Sequence, residues 1–290
     1  MGPGGSDLNV TVMNAVWLNR TTPCEVIEVK GDALTCIVPA MRAGTYTVDV
    51  EVIGGGAITP HGFATQPQGG PLTIEFPLVI DDLGPTQGSA VGGTLVYVSG
   101  VGFNPDASDV VLVGGLPCAI STVSFNLLVC ATPPPGSAWN SASGSLTVPV
   151  TVNGVASPNA FTYSAAITPV VVAISPSYLS SGRTGIINLR LANIDPNTPN
   201  AISVSVGSRK CTSPTILSAD AHAVDVSCTL MRDTAPPLPQ PLEHPVVYVG
   251  GIGNANASGV TLDVSFYVQN TSMASGSLLG GTVVNFTGVG

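Results

Sequence analysis

The residues with the most chemistry to offer are six cysteines, and they fall in three pairs. Cys24 and Cys36 are 12 apart, Cys118 and Cys130 are 12 apart, and Cys211 and Cys228 are 17 apart. The first members of the pairs are spaced by 94 and 93 residues. Zinc would call for a C-x-x-C spacing or nearby histidines, and buried free thiols would have no reason to recur in pairs. Pairing within each set, as disulfides made in an oxidising compartment, is the chemistry this spacing predicts.

The second chemistry is carried by asparagine. N-x-S/T acceptor sequences occur at Asn9, Asn19, Asn256, Asn270 and Asn285, none with proline in the middle. They predict covalent glycans on an extracellular chain, with at least two of the five sites occupied. Catalytic inventory ends quickly: His61, His222 and His244 sit in unrelated contexts, with no G-x-S-x-G elbow and no H-E-x-x-H helix beside them. Asp81 and Asp82 are two acids without a third ligand cluster, which reads as solvated turn residues rather than a calcium site. No catalytic, metal or cofactor site is expected, so the expectation is a non-enzymatic protein.

The cysteines must be positioned by hairpins. TTPCEVIEVKGDALTCIVPAM aligns with GLPCAISTVSFNLLVCATPPP, and SRKCTSPTILSADAHAVDVSCTLMRD is the same hairpin with a longer tip. An alternating strand follows each pair: TYTVDVEV, LTVPVTV and HPVVYVGG. Such period-two alternation sets one face in a core and the other toward solvent. A further element precedes the hairpins as GGTLVYVSGVGF from Gly92 and GGTVVNFTGVG from Gly280, with a degenerate copy, SSGRTGIINLRLANI, from Ser180. Each copy follows a short lead strand.

A lead strand ending in a proline turn, GGTxVxVxGxGF, a cysteine hairpin ending C-x-x-P, VxVxVxG and an F-x-Y strand at Phe161 and Tyr163 together resemble the IPT/TIG family. These are immunoglobulin-like domains of cell-surface receptors such as plexins, of large surface proteins and, without cysteines, of some transcription factors. The resemblance implies a two-sheet sandwich and a role in recognition or scaffolding. The fold class expected is all-β, tandem immunoglobulin-like (IPT/TIG) β-sandwich domains, cut out of phase with the repeat. The divisions are 1–76 lacking its first strands, 77–165 complete, 166–267 divergent, and 268–290 as the first strands of a further domain.

Composition agrees with short strands joined by turns, since the chain holds 34 Gly and 25 Pro and these are the two worst helix formers. Charged residues are only 9% of the chain, against about 25% in a typical soluble domain. Such a surface stays in solution under sugars or against neighbouring subunits. The net charge of −9 arises from scarce bases, Lys30 and Lys210 being the lysines, and leaves no patch for nucleic acid or anionic membrane. Ala165 to Gly182 is long enough for a membrane span but carries Pro169 and Pro176 and too many polar residues to insert.

Joining FTGVG at the end to MGPGGSDLNVTV at the start reproduces the order of the middle copy, with Met1 in the place of Phe103. The expectation that follows is an extracellular, secreted or cell-surface structural glycoprotein whose partner is itself: residues 268–290 complete 1–76 of a neighbour, head to tail, as an open fibre. The alternative is an adhesion or receptor ectodomain segment that binds a protein or carbohydrate ligand.

Overall fold

In the computed structural model the described residues are 13–30, 33–53, 70–106, 108–180, 184–194, 201–220, 223–231, 242–265 and 267–289. They form β-strands linked by turns, with two 3-10 turns and no α-helix among them. No helix there is long and apolar enough to cross a membrane; the apolar run from Ala165 is a 3-10 turn, Ala165–Ile167, followed by the strands Val170–Ser175 and Tyr178–Ser180.

The second domain shows how the pattern becomes a sandwich. Leu95–Val101 buries Val96 and Val98 completely and leaves Tyr97 exposed, as alternation requires. It is flanked by Leu127–Ala131 and Val79–Gly84, with Ala119–Val123 at the edge. The facing sheet holds Leu116–Pro117, Val111–Val113, Val150–Val152 and Val155–Ala156. Val96, Val98, Phe103, Leu128, Val152 and Phe161 meet in the core between them. The last strand, Phe161–Ser164, pairs in parallel with Gln87–Ser89.

The third domain repeats this plan around Ile187, Leu189, Leu191, Val204, Val226 and Val247. The first, over its described residues, is one sheet in the order Ala33–Ile37, Thr22–Lys30, Met13–Leu18, Gly44–Ile53, Thr73–Phe76.

Register exposes the repeat more sharply than sequence does. Val79 pairs with Val101 and Ile80 with Gly100; after a bulge, Asp82 pairs with Ser99 and Leu83 with Val98. Val170–Ser175 and Gly185–Ala192 pair Val170 with Ala192, Val171 with Leu191, then Ala173 with Arg190 and Ile174 with Leu189. Tyr267–Thr271 and Phe286–Val289 pair Tyr267 with Val289, Val268 with Gly288, then Asn270 with Thr287 and Thr271 with Phe286. The three lead hairpins therefore share one register and one bulge. Gly100 lies opposite that bulge, where a Cβ would run into the Val79 carbonyl oxygen, so in this hairpin the close approach admits only glycine, whereas Leu191 holds the matching place in the third domain.

Val16 pairs with Cys24 as Val111 O accepts from Cys118 N, so Val16 takes the place of Val111. Met1 and Gly290, where the two ends are expected to join, lie outside the described residues.

Candidate functional site at the domain joints

Each first cysteine stands where a strand changes partners. Thr22 to Cys24 pair with Met13–Leu18, and from Glu25 the strand pairs with Ala33–Ile37. Leu116 and Pro117 pair with Val113 and Leu112, whereas Ala119 pairs with Ala131. Arg209 and Lys210 pair with Val206 and Ser205, and Cys211 then faces Leu230. Disulfides join Cys24 to Cys36, Cys118 to Cys130 and Cys211 to Cys228, with Cα atoms 5.6 to 5.7 Å apart. Each bond thus fixes a corner where the chain passes from one set of partners to the next. No described cysteine is free.

The third hairpin absorbs its extra length in two irregularities, between Thr212 and Thr215 and between Ile216 and Ser218. Its reach leaves Ile216 and Leu217 more than half exposed. Beside them Arg190 bonds both Asp225 oxygens, at 3.0 and 3.2 Å, and Asp220 at 2.6 Å.

The joint between the second and third domains is built from hydroxyls and backbone. Ser89 Oγ donates to Asn254 O at 2.5 Å and Thr94 Oγ1 donates to Ile252 O at 2.6 Å. Ser89 N donates to Ile252 O and Asn254 N to Gly92 O, at 3.0 and 2.9 Å. Ala90 N donates to Thr168 Oγ1 at 2.7 Å, and that hydroxyl donates to Ser164 O at 2.6 Å. A Cβ at Gly253 would sit 2.7 Å from Gly92 O. These contacts set the turn of one domain against the Gly250–Asn254 loop of the next.

The joint between the first and second domains is more open. Ala43 N donates to Gly102 O at 2.8 Å, and beside this bond lies a cleft of about 360 Å³ lined by polar groups including Asn19, Arg42, Asn104, Asp109 and Asn153. Asp109 is buried and accepts from Asn104 N and Asn153 Nδ2, both at 2.7 Å.

Of the acceptor asparagines, Asn19, Asn256, Asn270 and Asn285 are exposed, and Asn9 lies outside the described residues. Asn19 stands on the cleft between domains, whereas Asn270 and Asn285 stand on the terminal hairpin. His61 and His222 also lie outside the described residues; His244 Nδ1 is 2.9 Å from Val260 O. Asp82 Oδ1 is taken up by Leu83 N and Asn159 Nδ2, both at 2.8 Å, and no cluster of metal-ligating side chains occurs among the described residues. Burial pushes the Tyr163 hydroxyl up to about 12, and it donates to Pro133 O at 2.7 Å.

The terminal hairpin repeats the second domain's head in detail. Ser277 N donates to Thr282 Oγ1 at 2.8 Å as Ser89 N does to Thr94 Oγ1 at 3.1 Å. Gly280 and Gly281 have φ of 81° and 76°, and Gly92 and Gly93 have 79° and 77°. Here, however, Leu278, Leu279, Val283 and Phe286 are exposed.

Residues 78–163, the second domain, match the family model of the IPT/TIG domain. The chain is 28% identical over 269 residues to Fibrocystin-L of Mus musculus and 26% identical over 283 residues to Fibrocystin of Mus musculus. The matches cover 91% and 95% of this chain and 6% of each relative, so the chain spans a small part of their length. Among solved structures it is similar to the Plexin A4 full extracellular region, at 16% identity and a TM-score of 0.40, over 91% of this chain and 23% of that one. Over the described residues the chain is an all-β tandem of sandwich domains.

Proposed function

We propose, on the premise that residues 78–163 are an IPT/TIG domain, that the chain is a non-enzymatic segment of an adhesion or receptor ectodomain. Its domains are held in series while its loops meet a protein or carbohydrate ligand. The observation that carries this reading is the joint of Ser89, Thr94, Ile252 and Asn254, because direct hydrogen bonds between consecutive domains fix how their loops are presented. The long hairpin of the third domain, with Ile216 and Leu217 exposed at its reach, is the recognition element. Exposed apolar residues rimmed by fixed charges are the usual chemistry of a protein contact. Saturable binding of the tetramerised, glycosylated chain to live cells, lost in Ile216→Asp/Leu217→Asp, is the expected result. Binding that is unchanged in that variant removes the hairpin from the reading.

A second reading, the open fibre, is favoured by the terminal hairpin and by the edge of Ala33–Ile37 in the first domain. In the second domain Leu127 pairs with Ser99 and Cys130 with Val96. The same register would set Ala33 opposite Thr287 and Cys36 opposite Val284 of a second copy, burying Phe286. Preformed, exposed strands are the kind that add to an open edge. Light scattering across a dilution series tests this: polymers abolished by Phe286→Asp support it, and a monomer at every concentration excludes it.

A further inference from the structure

Asn19 begins the sequence Asn-Arg-Thr and sits in a tight turn with φ of 52°. Its Oδ1 is held by Thr47 N at 2.7 Å and by the Thr47 hydroxyl at 3.2 Å. Those bonds fix the amide plane and leave Nδ2, the nitrogen that N-glycosylation modifies, without a hydrogen-bond partner among the described residues. Around it, Arg42, Tyr46, Asn104, Asp109 and Asn153 line the cleft between the first two domains. The cleft's volume of about 360 Å³ lies within the roughly 300 to 1,000 Å³ of small-molecule sites. Its polar wall is preset: Asp109 is tied to Asn104 N and Asn153 Nδ2, and Asn153 Oδ1 accepts from Val110 N at 2.8 Å. Fixed amides and carboxylates are the groups that match sugar hydroxyls.

We propose that Asn19 carries an N-linked glycan whose innermost sugars seat in this cleft and brace the joint between the first and second domains. The donor is a diphosphate-activated oligosaccharide. A bond forms from Nδ2 to the C1 of the first sugar, the C1–O bond to the diphosphate breaks, the diphosphate leaves, and Nδ2 gives up one proton. The other joint is tied by protein hydroxyls and backbone, whereas at this one the sugar adds to the bond from Ala43 N to Gly102 O. The inference is independent of the ligand-binding reading above.

The full chain, secreted from cells that perform N-glycosylation, is mapped for glycopeptides and treated with peptide N-glycosidase before and after denaturation. Asn19 is expected to be occupied, and its glycan to be released at least roughly tenfold more slowly from the native protein. Hydrogen exchange at residues 42–46 and 104–106 is expected to quicken in Thr21→Val, which removes the acceptor sequence, and not in Thr21→Ser, which keeps it. An unoccupied Asn19, native release as fast as denatured release, or identical exchange in Thr21→Val and the parent protein each overturns the proposal.

Discussion

The Thr94 hydroxyl gives its proton to the Ile252 carbonyl oxygen at 2.6 Å while accepting from Ser89 N at 3.1 Å. One side chain thus shapes the turn of the second domain and ties it to the third. In Thr94→Val the shape is nearly kept and Ser89 N still bonds the Ile252 carbonyl at 3.0 Å, so each of the hydroxyl's two lost hydrogen bonds costs about 0.5–1.5 kcal/mol. The two domains are expected to tumble as one body in the parent protein and separately in the variant, measured by backbone ¹⁵N relaxation. Unchanged relaxation would contradict the role given to the joint.

Removing the corner bond of the second domain, by Cys118→Ala with Cys130→Ala, is expected to destabilise that domain by about 3 kcal/mol, the chain-entropy value for a loop of this size. Urea unfolding of the parent and variant reads the difference directly. A midpoint that does not move would mean that the corner is held by packing alone.

What the sequence made legible and what it hid follow from the kind of interaction. Cysteine spacing and valine alternation are periodic, so the hairpins around Cys118 and Cys130 and the buried pair Val96 and Val98 could be read directly. The joint could not be read. Thr94 looked like the start of a strand in GGTLVYV, and hydroxyl bonds to backbone oxygens of a distant loop leave no period. A signal was present nonetheless, because Thr282 repeats Thr94 and Ser277 repeats Ser89. Strand pairing also assigned Val16 the place of Val111, which short Gly, Ser and Asp runs that align in several registers could not do.

Alkaline pH should destabilise the second domain. Burial raises the Tyr163 pKa from 10.0 to about 12, so the folded state resists losing that proton while the unfolded state loses it near 10. The stability tied to the neutral hydroxyl is fully present below pH 10 and is lost as pH rises from 10 to 12, by up to about 2–3 kcal/mol. Tyr163→Phe removes the pH dependence in this window but also leaves Pro133 O without its donor, so the variant is less stable at neutral pH. Unfolding midpoints at several pH values test both statements.

Ile216→Asp with Leu217→Asp places charge where the hairpin is already exposed, so the stability of the third domain should change by no more than about 0.5 kcal/mol. Calorimetry checks this, and only a variant that keeps its unfolding temperature is a valid probe of recognition.

Retention of beads coated with the glycosylated chain on a living cell layer under shear flow tests the adhesion reading most directly. The account predicts retention well above that of albumin-coated beads, abolished when the disulfides are reduced and the cysteine corners open. Retention no greater than that of albumin, with the three disulfides intact, would contradict it.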